Sequence, residues 1–330
     1  MRRRAFISLL GGAVVWPVTA PAQQGERKRH IGMLMAATEN DMEWQNLVKV
    51  FIQRLQELGW TQDRNLKIDF RWAETGSDRL EALAKELVEL KPELIISQAT
   101  ITTIVLLQQT RTVPIIFLLV ADPVGNNFVK SFAHPDTNAT GFFTFDPAMS
   151  GKWLELLKQI APGIARAAIM FNPNTWIGTL RDYSLAFRSS AMAFNVEPIE
   201  AFAHNVNEIE GVFAALAREP VGGIVLMPDT FNFQYRELII ALAARYRVPA
   251  VYPNRQFAAA GGLISYGLDI TDIFRRGASY VDRVFKGENV GALPVQAPTK
   301  FELVINLKTA KTLGLAMPLH LQQIADEVIE

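Results

Sequence analysis

Cysteine is absent from the 330 residues. That excludes disulfides, a thiolate nucleophile, a Cys-ligated zinc or iron–sulfur cluster, and an acylated N-terminal Cys as a membrane anchor. Neither sign of charge is in excess, with 33 basic residues against 33 acidic ones. A nucleic-acid binder would need a surplus of Lys and Arg to hold phosphates, so that class is disfavoured. The four histidines, His30, His134, His204 and His320, are scattered without an HExxH or other paired spacing, and no metal centre is expected from them. No GxGxxG, Walker-type loop or GxSxG elbow occurs, so the common cofactor, phosphate and acyl-transfer templates are missing too.

What is present is a composition of an ordinary folded protein, 49% hydrophobic and 20% charged, long enough for about two domains. Residues 1–22 read as a secretory signal peptide. Arg2, Arg3 and Arg4 are basic, Leu9 to Val18 is a short apolar run, and Ala20-Pro21-Ala22 supplies small residues for cleavage. Arg3-Arg4-Ala5-Phe6-Ile7 resembles the core of a twin-arginine export signal; an ordinary secretory signal carrying three arginines is the alternative. Cleavage near Ala22 would leave a slightly acidic chain. Beyond it, charges or Pro break every apolar run before it reaches spanning length. The expected product is periplasmic and not membrane-anchored.

The remainder alternates strands and helices. Ile31, Met33, Leu34 and Met35 make a buried run, and Trp44, Leu47, Phe51, Leu55 and Leu58 follow at helical spacing before Gly59. Leu66, Ile68, Phe70 and Trp72 alternate with polar residues, as a strand with unlike faces does. Ser77 is a candidate cap for a helix carrying Leu80, Leu83, Leu87 and Leu90. Apolar strands are predicted at 94–96 and 113–120 around a helix at 101–111. After a break at Pro135 to Thr144, the pattern resumes with helices at 148–160, 176–194, 206–218 and 231–246, and strands at 166–171, 196–202, 221–227 and 248–252. A Gly-rich turn stands at 261–262, then a helix at 270–286, a strand at 301–305 and further helices. Such alternation implies parallel sheets with helices on both faces, and its double run implies two lobes.

In open parallel sheets ligands sit beyond the carboxyl ends of the strands. Those turns include Ala37-Thr38-Glu39-Asn40, Gln98-Ala99-Thr100, Asp122-Pro123, Asn172-Pro173-Asn174-Thr175, Asp229-Thr230, Tyr252-Pro253-Asn254 and Ser265 to Asp269. They are rich in hydroxyls, amides and carboxylates, and several precede helix N-termini. As a set they suit a small polar or zwitterionic molecule. Taken singly, each Asp, Asn or Thr reads better as a helix cap, and Tyr252 or Tyr266 reads equally as core or as a ring stacked on a ligand.

Several stretches together resemble the solute-binding components of bacterial ABC importers, in a branch related to tryptophan/tyrosine-type binding proteins. They include Leu55 to Trp60, Phe70 to Glu74, Asp122-Pro123-Val124, Lys152 to Leu157, Gly261 to Gly267 and, longest, Leu293 to Asn306. The resemblance covers nearly the whole mature chain. It implies a type I periplasmic-binding-protein-like α/β fold, with two doubly wound parallel-sheet lobes joined by a hinge of three strands. The expected division is 30–143 plus part of 267–298 for the N-terminal lobe, and 144–266 plus part of 299–330 for the C-terminal lobe. On the same similarity, Thr100 and Asp122 would bind ligand from the first lobe, and Asn174, Thr175, Asp229 and Tyr252 from the second; Thr38 joins them as a candidate from its strand-end turn. Asp269 would meet a ligand ammonium.

The function so implied is capture of a small polar solute, such as an amino acid, by hinge closure and delivery to a membrane permease with its ATPase. No cofactor, metal or nucleic-acid partner is expected. Two other readings stay open on the sequence: a sensory ligand-binding subunit, and a two-lobed enzyme using Asp122 and Asp229.

Overall fold

The computed structural model describes residues 28–74, 78–144, 147–175, 180–218 and 222–330. The export signal and Ser77 lie outside the described residues. The chain opens with β1 (Arg29–Met35), α1 (Met42–Glu57), β2 (Leu66–Trp72), α2 (Leu80–Glu89), β3 (Leu94–Gln98), α3 (Thr100–Gln109) and β4 (Ile115–Val120). These make a parallel sheet in the order β2-β1-β3-β4-β5, whose edge strand β5 (Ala139–Phe143) falls in the stretch read from sequence as a break. β1, β3 and β4 bury apolar runs, Met33 to Met35, Leu94 to Ile96 and Ile115 to Leu118, as a sheet covered on both faces requires. Asp41 caps α1, which buries Trp44, Leu47, Val48, Phe51 and Leu55, and Gly59 at φ +96° ends the turn after it.

The second lobe continues with α4 (Met149–Ile160), β6 (Arg166–Phe171), α5 (Leu180–Ala193), β7 (Glu197–Phe202), α6 (Val206–Leu216) and β8 (Gly223–Leu226). The single helix predicted over 231–246 is two, α7 (Thr230–Gln234) and α8 (Arg236–Arg245), because the chain leaves helical geometry at Tyr235. Next come β9 (Ala250–Tyr252), α9 (Arg255–Ala259), β10 (Ile264–Leu268) and α10 (Ile270–Phe285). The chain closes with β11 (Phe301–Asn306), α11 (Leu307–Leu313), α12 (Leu319–Ile324) and β12 (Glu327–Ile329). The second sheet runs β12-β11-β10-β9-β8-β6-β7. All its pairings are parallel except β10 with β11.

Sequence order and lobe membership part company at α10. This helix follows a second-lobe strand, yet it packs on α1 and β4 of the first lobe. Its contact is close: a Cβ on Gly277 would stand 2.7 Å from the Leu118 side chain. Thr140 Oγ1 donates to the Leu293 carbonyl at 2.6 Å, and the Gln296 amide to the Gly141 carbonyl at 2.8 Å. The chain therefore crosses between the lobes three times, after Phe143, at Asp269 and between Gln296 and Phe301. Trp153 of α4, fully buried, anchors the second crossing by donating its indole N–H to the Tyr266 carbonyl at 2.6 Å.

Candidate functional site

The strand ends of both lobes face one another across a narrow cleft. Trp44, Gln98, Ala99, Leu119 and Thr144 line it from the first lobe. Asp229, Thr230, Phe233 and Asn254 line it from the second, with Leu268 and Ile270 at a crossing. The enclosed space is about 50 Å³, and a smaller one of about 30 Å³ continues from it to Thr100, Ile101 and Thr175. A site needs roughly 10–15 Å³ of such space to hold one water, so the gap between the lobes accommodates a few waters as it stands.

Two unusual backbone positions shape the first wall. Ala99, between β3 and α3, has φ +81° and ψ 163°, a region that an L side chain occupies only under strain. Leu119 has φ +59° beside a register shift in β4, and such bulges re-aim side chains next to sites. Thr100 is tied in place by accepting the Ala121 amide at 2.9 Å. No side chain caps α3, and its first residues, Thr100 and Ile101, line the cleft, where a helix start suits an anionic group.

On the opposite wall Asp229 is 3% exposed. One oxygen accepts the Thr175 hydroxyl at 2.5 Å and the Phe231 amide at 3.0 Å, and the other accepts the Asn172 amide at 2.6 Å. Burial pushes its carboxyl up to about 6, against three donors that favour the charged form. It caps α7 and holds the loop after β6. The Asn254 amide oxygen (residue 8% exposed) and the Thr230 hydroxyl are buried and have no partner among the described residues. Buried polar atoms without partners are uncommon in folded proteins, and these two sit in the cleft wall.

The sequence-derived set divides in the structure. Thr100, Thr175 and Asp229 come together at the cleft. Asp122 does not line it; at φ +41° it closes a turn by accepting the Gly125 amide at 2.8 Å. Tyr252 is 1% exposed and stacks on Phe257 at 5.0 Å, so it is core, with burial raising its hydroxyl above the usual tyrosine range. Asp269 caps α10 and lines a separate groove with Glu43, Gln256 and Glu302. Burial and then the Asp269 charge raise the carboxyl of Glu302. Thr38 borders an outer groove with Asp41 and Arg236, and Asn174 borders another with His204 and Tyr235. Of the pair weighed for catalysis, Asp229 lines both cleft spaces and Asp122 lines neither.

Sequence reasoning left Gln98, Thr144, Thr230, Asn254, Trp44 and Phe233 out of the site. Gln98, Thr230 and Asn254 stood in the strand-end turns already singled out. Trp44 and Phe233, whose rings lie 5.0 Å apart across the cleft, carried no signal beyond helical spacing.

Comparison with known proteins agrees with this architecture. Residues 39–329 match the family model described as ABC transporter substrate binding protein. A tyrosine-binding protein of Clostridioides difficile is 25% identical over 272 residues, 81% of this chain and 76% of that protein. A conserved domain protein from Vibrio cholerae superposes with a TM-score of 0.82 at 24% identity, covering 92% of this chain and all of that one. An ABC domain from Streptococcus pneumonia in complex with L-Trp superposes with a TM-score of 0.80, also at 24% identity, with the same coverages.

Proposed function

The chain belongs to the ABC transporter substrate-binding protein family, and from that premise we propose that it captures a small polar solute of amino-acid type between its lobes. The reading is carried by one observation: the cleft wall holds buried polar atoms without partners, at Asn254 and Thr230, facing the uncapped start of α3. Free N–H groups at a helix start suit a carboxylate, and the Asn254 amide oxygen suits a donor such as an ammonium. Trp44, Leu119 and Phe233 give the rest of the solute an apolar wall. The relatives that bind tyrosine and L-Trp support an amino acid as the class.

The geometry supports capture by closure. The crossings act as a hinge, the lobes part to admit the solute, and closure is favoured because only the closed form contacts it from both sides. Delivery would be to a membrane permease and its ATPase, outside the inner membrane, after removal of residues 1–22. Among the described residues no helix is long and apolar enough to cross a membrane.

A thermal-shift screen of residues 23–330 against amino acids, aromatic acids, amides and sugars tests the reading. A solute at about a hundredfold excess over its Kd adds roughly 2.7 kcal/mol of stability. A rise confined to amino acids supports the proposal. No rise with any class, repeated after unfolding and refolding to strip a co-purified solute, refutes it.

A further inference from the structure

An ion pair spans the mouth of the cleft. Asp41, the cap of α1 in the first lobe, meets Arg236, the first residue of α8 in the second. Arg236 Nη1 donates to Asp41 Oδ2 at 2.8 Å and Nη2 to Oδ1 at 3.3 Å, a two-pronged contact between side chains each 13% exposed. The guanidinium also donates to the Phe233 carbonyl at 3.1 Å and lies 4.9 Å from the Phe233 ring centre. Phe233 in turn packs on Trp44, which packs on Phe274 of α10 at 6.2 Å. The four side chains therefore form one column, in which Arg236 and Phe233 of the second lobe are held between Asp41 and Trp44 of the first.

We propose that Asp41 and Arg236 are a latch, a positioning pair that holds the lobes together through their own attraction and sets how readily the cleft opens. The proposal rests on the reading that the lobes part to admit solute. Its physical content is a closed form held partly by charge. A partly shielded, two-pronged Arg–carboxylate contact is stronger than an exposed pair, yet still weakened by salt. Opening breaks it and exposes the Phe233–Trp44 contact behind it.

Asp41 also accepts the Glu43 amide at 3.0 Å as helix cap. Asp41→Asn removes the charge but keeps a side chain that caps about as well, so the variant isolates the latch from α1. The chain has no native Cys, and Leu90→Cys with Met192→Cys, at exposed positions on different lobes, place a dye pair that reads lobe separation. Single-molecule energy transfer is then recorded without added solute, from low to high NaCl, in the labelled parent, Asp41→Asn, Arg236→Gln and the double variant. Loss of the pair is expected to lower the closed-to-open ratio about tenfold, with the double variant no worse than either single, as coupled partners behave. Salt should move the parent toward the variants and leave the variants unmoved. Additive effects, or a parent whose ratio ignores both salt and Asp41→Asn, would overturn the latch. Because this readout needs no solute, a failed solute screen counts against the proposed function alone, and the energy-transfer comparison still decides the latch.

Discussion

Asp229→Asn separates a buried charge from its hydrogen bonds. In the folded protein the Asp229 carboxyl is displaced from its ordinary 3.8 to about 6, chiefly by burial. Between those values the unfolded chain has released a proton that the folded chain still holds. Unfolding there releases the proton, so stability is highest below about pH 4 and falls as pH rises to about 6. Each pH unit costs about 1.4 kcal/mol, and the interval amounts to roughly 3 kcal/mol. The Asn variant has no such dependence at this site. It still accepts from Thr175 and Phe231 but turns an N–H group toward the Asn172 amide, whose nitrogen now lies 2.6 Å from a carboxylate oxygen. That mismatch costs about 1–3 kcal/mol at every pH. Urea unfolding followed by Trp fluorescence, on both proteins between about pH 4 and pH 7, gives the gap between them. The expected result is a wild-type advantage at low pH that shrinks by roughly 3 kcal/mol and vanishes or reverses near neutrality. Other titrating groups are common to both proteins and cancel. A gap independent of pH would show that the three donors offset burial in full. A gap that widens with pH would show that the three donors outweigh burial.

Three further outcomes follow from the cleft walls. Ala99→Gly relieves about 1–3 kcal/mol of backbone strain against about 0.5–1 kcal/mol lost to glycine's freedom when unfolded, so a calorimetric melting temperature should stay level or rise by a few degrees; a fall would refute the strain. Gly267→Ala places a Cβ 1.5 Å from the Pro253 carbonyl oxygen, which must displace the turn bearing Asn254; a loss of about 3 kcal/mol in urea unfolding is expected, and a neutral result would contradict the packing. Asn254→Ala should leave the melting temperature of the solute-free protein level or higher, since its amide oxygen has no partner among the described residues, while weakening the solute identified by the screen by about 1–3 kcal/mol in calorimetric titration. Unchanged affinity would remove Asn254 from the site.

Much of the fold was legible because parallel sheets bury both faces. Ile95, Ile96 and Ile115 to Val120 read as strands for that reason, and the alternation at Leu66 to Trp72 marked a strand with unlike faces, which the sheet places at its edge. β5 escaped because its five residues include Gly141 at φ +153°, pressed against the Phe117 backbone. β10 escaped because Ser265, Tyr266 and Gly267 have the composition of a turn. At the site, strand-end position found Thr100, Thr175 and Asp229, since topology alone carries those turns to the cleft. It could not separate a carboxylate that faces the cleft from one that closes its own turn or caps its own helix, which is what Asp122 and Asp269 do. Trp44 and Phe233 were hidden for the converse reason: a residue packed across a lobe interface has the same periodicity as one packed in a core.

The membership of α10 in the first lobe has a consequence for synthesis. The first 144 residues hold all the strands of that lobe, yet the helix covering α1 and β4 is encoded after residue 269. Trp60 waits for the Asp282 carboxylate, and Phe142 for Tyr280. At roughly 5–20 residues per second, the intervening stretch occupies the ribosome for about 6–25 s, while the apolar stripe of α1 stands uncovered. A nascent chain so arranged cannot mature from its front end. Were the chain exported as proposed, a translocon that takes unfolded chains would find it threadable throughout synthesis, and a route that takes folded cargo would wait for the last strands to be made.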